Sequence, residues 1–485
     1  MDTLRNPYGF KKFFFIAFVL LFAFALSMLS IYGLKPLYFG IVAFGFIILL
    51  SFLFWEKAVI FLMVWILFVG AVRKWLLPQL ADMVFLFNNV ILLGVYLRYL
   101  NDQAKSRSSL FIYHPINNFL AFFFIWGLAC LFNPQLPNIL VGVLGLVVHF
   151  YYIPLIFIVP RIFNTKEELI KALKIYTYFS IPLLILGIIQ FSRPSDDPLN
   201  IYVGGVRDDI ALVGTFVRVT STFAYISGYA AYLNILIMIL VYLLGIKGHS
   251  KVFYIYLYSL LVFALMNMFM TGSRGPALFA LINVVLYLFL AGFFNLVLLK
   301  RFFLRFFFAG VLTISFFTFT DFGHKVVDAF TNRLTTNEDI GPRLLDTYTT
   351  PFKFVKIAGI YGFGIGSTYQ GAAIVGSNAA KLQKITGGFE EEPERMVVEM
   401  GVAGFIQVYL IRFLLIVYFW RLYRKLKDEN LKLLALLAML FQLQFFVGIS
   451  NLVFNYTTQI FYWFAVSFLY LLPRLDQKAP GYAKA

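Results

Sequence analysis

Three arginines occupy positions where a chain this apolar would be expected to avoid charge. Arg207 and Arg218 lie in Gly204-Gly-Val-Arg-Asp-Asp-Ile-Ala-Leu-Val-Gly-Thr-Phe-Val-Arg-Val-Thr-Ser-Thr-Phe223, and Arg274 lies in Met270-Thr-Gly-Ser-Arg-Gly-Pro276. The second stretch is a short turn between two long apolar runs. A guanidinium offers a planar fork of N–H donors that fits phosphate bidentately, so several arginines converging on one face would cradle a pyrophosphate. The bland alternative is an interfacial anchor whose stem lies along lipid while its head reaches water. For Arg274 the turn argues against that. Gly272 and Ser273 beside it let backbone approach a bound group closely, and both join it as candidate substrate-binding residues. A second candidate region is the acidic run Glu390-Glu-Glu-Pro-Glu394, followed by Arg395 and then Glu399. A carboxylate here, Glu394 or Glu399, could act as general base toward a hydroxyl acceptor, with Arg395 and Arg207 as further binding candidates. Pro393 could equally open a helix whose dipole favours the acids around it. Glu399 is harder to dismiss, because ionisable groups inside apolar spans tend to be functional.

Other motifs carry less. Gly362-Phe-Gly-Ile-Gly-Ser367 lacks the lysine of a nucleotide-binding P-loop and reads as a tight connection. His149, beside Tyr151 and Tyr152, reads as packing or an interhelical hydrogen bond, and His324 is a minor catalytic candidate. A single cysteine, Cys130, excludes an intramolecular disulfide and any cysteine-based metal site. The four histidines share no ligand spacing, so no metal and no cofactor are expected.

The elements that must position these residues follow from composition. The 485 residues are 61% hydrophobic and 13% charged, with a mean hydropathy of +0.85, which excludes a soluble globular enzyme. The expected fold is an all-α, polytopic integral membrane protein. On a requirement of about 20 apolar residues per span, fourteen spans are expected, near 13–31, 37–54, 58–72, 83–99, 118–132, 139–159, 173–191, 223–246, 252–270, 275–298, 302–320, 396–420, 432–449 and 456–472. They delimit N-terminal helices within 1–191, a first long outer loop at 192–222, helices within 223–320, a large outer loop at 321–395, helices within 396–472 and a tail at 473–485. Val326–Leu334 and Leu344–Ile360 in the large loop are expected to be short amphipathic helices at the membrane surface. With both termini cytoplasmic, nearly all of the +17 net charge falls on inner segments, as the positive-inside rule requires, and a nucleic-acid partner is not implied. Ionisable groups are then expected at the outer interface, which disfavours a transporter with polar sites at mid-membrane.

At these residues the chain resembles the O-antigen ligase/polymerase superfamily. Arg218-Val-Thr-Ser-Thr-Phe223 with Gly228-Tyr-Ala-Ala-Tyr-Leu233, Thr271-Gly-Ser-Arg-Gly275, Gly362-Phe-Gly-Ile-Gly366 and Glu399-Met-Gly401 with Gly404 are similar, in order, to that superfamily's motifs. The resemblance spans roughly residues 200–420. It implies a GT-C-type glycosyltransferase with a large periplasmic loop, working at the outer face of a bacterial inner membrane on a polyprenyl-diphosphate-linked oligosaccharide, with membrane lipid and a chain-length regulator as further partners. It implies donor-phosphate roles for Arg218 and Arg274. Ligases of the superfamily carry a His-Asn pair where this chain reads Glu-Glu-Glu-Pro-Glu-Arg, so a Wzy-type polysaccharide polymerase is expected first. A ligase acting on lipid A–core and a flippase of lipid-linked glycan are the alternatives.

Overall fold

The computed structural model describes residues 36–106, 109, 111–203, 212–213, 216–293, 296–335, 349, 351–386, 391–447 and 451–477. The described helices of eight or more residues are α1 (Pro36–Leu53), α2 (Trp55–Ala71), α3 (Ala81–Ser106), α4 (Ile116–Leu131), α5 (Ile139–Phe150), α6 (Lys166–Phe191), α7 (Ile226–Gly245), α8 (Lys251–Met270), α9 (Arg274–Phe293), α10 (Leu296–Phe319), α11 (Asp321–Thr335), α12 (Ala379–Thr386), α13 (Glu392–Lys425), α14 (Glu429–Phe446), α15 (Tyr456–Val466) and α16 (Phe468–Gln477). The described strands are β1 (Leu212–Val213) and β2 (Phe216–Val217), paired antiparallel. Nine described helices are long and apolar enough to cross a bilayer, and three more are apolar but shorter. The chain is a polytopic, all-α membrane protein.

Two compact units divide it. In the first, residues 1–112 with 203–205, α3 packs along α1 and α2. Residues 113–202 and 206–485 form the second, built around α7. Tyr229, Tyr232 and Tyr242 of that helix are fully buried, and α6, α8, α9, α14 and α15 enclose it. A helix apolar on every side is suited to such a centre.

The span expectations meet two corrections, and the expected span at 13–31 lies outside the described residues. Span 456–472 is two short helices, α15 and α16, meeting at Ser467. The expected span 139–159 lies within the candidate membrane span Ile139–Arg161, which tightens after α5 into i→i−3 turns ahead of and through Pro154, seen in Ile153 N to Phe150 O (3.1 Å) and Leu155 N to Tyr152 O (3.2 Å). The second correction, to span 396–420, is the larger. Gly401 adopts φ 66°, ψ −171° inside α13 and divides it into arms 392–400 and 402–425. A straight helix would hold residues 392 and 412 about 30 Å apart. The Glu392 carboxylate nevertheless forms a buried ion pair with the Arg412 guanidinium. The short arm must therefore fold back on the long one, with Gly401 at the tip of a helical hairpin. Any Cβ at 401 would meet Tyr361 N at 2.6 Å, and the positive φ is one that only glycine adopts freely.

A break in a helix leaves backbone groups that must pair elsewhere when buried. The glycine-rich connection supplies the partners. Phe363 N donates to Val398 O (2.8 Å), Gly364 N to Glu399 O (3.0 Å), and Val402 N to Gly359 O (3.1 Å). Elsewhere in the expected large loop, α11 covers the expected helix 326–334, while of 344–360 only 349 and 351–360 are described. Phe354 from this loop and Leu382 of α12 pack on Val397 and Val398 of the short arm.

Candidate functional site

α8 ends at Met270, and the last carbonyls of a helix lack intrahelical partners. The chain at 218–219 meets them. Val219 N donates to Met270 O (3.2 Å) and Arg218 Nε to Thr271 O (3.0 Å), while Arg218 Nη2 reaches Ser273 Oγ at 3.4 Å. Gly272, at φ 63°, reverses the chain, and Arg274 opens α9. Arg274 Nη1 is buried and has no hydrogen-bond partner among the described residues. A buried donor on a cation that finds no acceptor costs several kcal/mol, so this atom marks a place where an anion would be favourable.

The segment leading from Arg218 into α7 is braced. Ser221 sits at φ 50°, unfavourable for a residue with a Cβ, yet its N–H donates to Gln190 Oε1 (2.7 Å) and its hydroxyl to Leu183 O (2.7 Å). Gln190 Nε2 in turn donates to Leu199 O (2.6 Å). Strain of this kind persists where the surroundings over-determine it, as they do at functional sites.

A second cluster forms where α5, the glycine-rich connection and the hairpin meet. Glu399 and His149 are wholly buried, and His149 Nε2 lies 2.8 Å from Glu399 Oε2. That oxygen also accepts from Gly366 N (3.0 Å), while Oε1 accepts from Thr368 N (3.0 Å) and Thr368 Oγ1 (2.6 Å). Four donors thus converge on one carboxylate. Gly366 N approaches α5 so closely that a Cβ on Gly145 would lie 2.5 Å from it. Arg395 donates from Nε to Thr368 Oγ1 (3.1 Å) and from Nη2 to Thr368 O (2.8 Å), and its guanidinium stacks on Phe454 at 3.3 Å from the ring centroid.

Glu394 occupies the first turn of the short arm, where its Oε2 accepts from Glu391 N at 3.3 Å. This is the helix-opening arrangement that Pro393 suggests. Glu392, not Glu394, carries the ion pair. Its Oε2 also accepts from Leu452 N and from Val453 N (2.8 Å), and Arg412 Nη1 donates to Phe445 O (2.9 Å). Two buried polar contacts, the His149–Glu399 hydrogen bond and the Glu392–Arg412 ion pair, thus involve residues of candidate spans.

The structure thus brings Arg218, Gly272, Ser273 and Arg274 into one turn, and Glu399 and Arg395 into one clasp through Thr368. Arg207 lies outside the described residues. Sequence reasoning missed Thr368, Phe454 and the Glu392–Arg412 pair. One signal was present: Glu399 and Arg412 each sit in an apolar run, and a buried charge demands a partner. Among the described residues no group of three His, Cys, Asp or Glu side chains is placed to hold a metal ion. The chain matches no protein family and no curated protein.

Proposed function

We propose that the chain is a polysaccharide polymerase of the bacterial inner membrane, transferring glycan from a polyprenyl-diphosphate donor to a second lipid-linked glycan at the periplasmic face. The observation that carries this reading is the buried Nη1 of Arg274, without a partner among the described residues, beside the turn that Arg218 holds. In the reaction an acceptor hydroxyl attacks the donor's anomeric carbon. The bond from that carbon to the diphosphate oxygen breaks, and its electron pair leaves on the diphosphate. Arg274 would bind the departing group directly and stabilise its charge. Arg218 keeps the turn in register, so its role includes positioning. Glu394 stays the candidate proton acceptor. Glu399, with four donors already on its oxygens, is assigned to positioning: it holds Thr368, and Thr368 holds Arg395.

A transporter is the second reading, favoured by one observation. The hairpin of α13 and the last turn of α5, just before its tightened continuation, meet at a buried His–Glu pair, and interrupted helices often build substrate sites in transporters. The test is elongation by the purified protein in lipid, given a polyprenyl-diphosphate oligosaccharide. A ladder of longer lipid-linked glycans supports the polymerase. Transfer only when lipid A–core is added supports a ligase. Movement of unaltered donor across the bilayer, without either product, replaces both with the transporter.

A further inference from the structure

The other end of α7 carries a cationic cluster that the proposed chemistry does not use. Beyond Gly245, the turn Lys247-Gly-His-Ser-Lys251 leads into α8. The carbonyls left at the end of α7 attract donors from three elements. His249 Nε2 lies 3.1 Å from Leu243 O, Arg305 of α10 donates to Leu244 O and to Ile246 O (3.1 Å), and Tyr254 OH donates to Ile246 O (2.7 Å). Lys174 of α6 stands over the Phe253 ring at 5.4 Å, and Arg305 over Tyr254 at 4.6 Å. Burial first, then the charges of Lys174 and Arg305, push the His249 imidazole down to about 4, as expected where cations crowd together. Among the described residues no carboxylate forms an ion pair with Lys174, Lys247, Lys251 or Arg305.

Cations held together with no ion-paired carboxylate among the described residues attract an anion, and the surroundings indicate its form. Val252 and Ile255 of α8 and Ile175 and Tyr178 of α6 remain exposed, at 76%, 64%, 44% and 49%. Tyr256 packs against Tyr178 and Phe253, with ring centroids 5.2 and 5.5 Å away, the amphipathic belt expected at headgroup depth. A basic cluster that continues into apolar helix faces suits an amphiphile, not a soluble ion. We propose that this corner seats an anionic phospholipid, its phosphate among Lys174, Lys247, Lys251 and Arg305 and its acyl chains along the exposed faces of α6 and α8.

The full chain in phosphatidylcholine nanodiscs doped with phosphatidylglycerol tests this, with retained lipids counted by native mass spectrometry and no glycan present. Wild type should retain phosphatidylglycerol preferentially. The Lys174→Gln/Lys247→Gln/Lys251→Gln variant should bind it roughly 100-fold more weakly, at about fivefold per lysine, with unchanged thermal unfolding in pure phosphatidylcholine. Equal retention of both lipids by wild type would overturn the seat, as would an undiminished preference in the variant. So would displacement of phosphatidylglycerol by an equal concentration of free glycerol phosphate, which would make the ligand a soluble anion.

Discussion

Arg274 and Glu399 show how differently two ionisable residues in one apolar chain can be used. Arg274 has a buried donor without a partner among the described residues, whereas every oxygen of Glu399 is engaged. Their substitutions should separate accordingly. Arg274→Ala is expected to reduce elongation by about 10²–10³-fold, the range for removing one donor to a developing oxyanion. Thermal stability should be unchanged or higher, because an uncompensated buried donor is removed. Arg274→Lys should also be impaired, since an ammonium lacks the bidentate fork; a wild-type rate would reduce the residue to a point charge. Glu399→Ala is expected to lower stability by about 3–5 kcal/mol, because His149 and two backbone N–H groups lose their buried acceptor. Cys130, buried and the single cysteine, makes this measurable as the temperature at which a thiol-reactive dye labels the protein.

At the scale of elements the hairpin of α13 dominates. Cysteines at 392 and 412 in a Cys130→Ser background should be joined by a short bifunctional maleimide, a link that a straight helix with those residues about 30 Å apart cannot make. Absence of the link in folded protein would remove the fold-back. Gly401→Ala should lose both stability and activity, because its Cβ would strike the 360–361 backbone at a positive φ. Gly310→Ala, with open space around the added methyl, is the control and should be near neutral. The start of α13 was legible from Pro393 and the acids around it. Its break was not, because Gly401 lies between Met400 and Val402 and leaves the hydropathy of the run uninterrupted. What bends the helix back is not in its local pattern: the 359–364 backbone, distant in sequence, and the Glu392–Arg412 pair across the hairpin. Much of the site lay hidden for the same reason. Each arginine could be singled out by its surroundings, but Thr368 became visible only when its partners Glu399 and Arg395 were in place.

For the whole molecule, charge placement also sets a response to pH. The His249 pKa falls from its ordinary 6.5 to about 4 on folding, so between those values the unfolded chain binds more protons than the folded one. Stability from this group is fully present above about pH 6.5 and declines as pH falls toward 4. His249→Gln should flatten that part of the stability–pH profile of the detergent-solubilised protein, and an unchanged profile would show the imidazole to be uninvolved. Composition and hydropathy by themselves determined that the chain is a multi-pass, all-α membrane protein and where most helices lie, because a bilayer imposes length and apolarity on each span locally. Only the tertiary structure decided which charges pair, where α13 turns back and that Arg274 keeps a buried donor without a partner among the described residues. Those outcomes depend on contacts between residues tens to hundreds of positions apart, such as His149 with Glu399, and no local pattern records them.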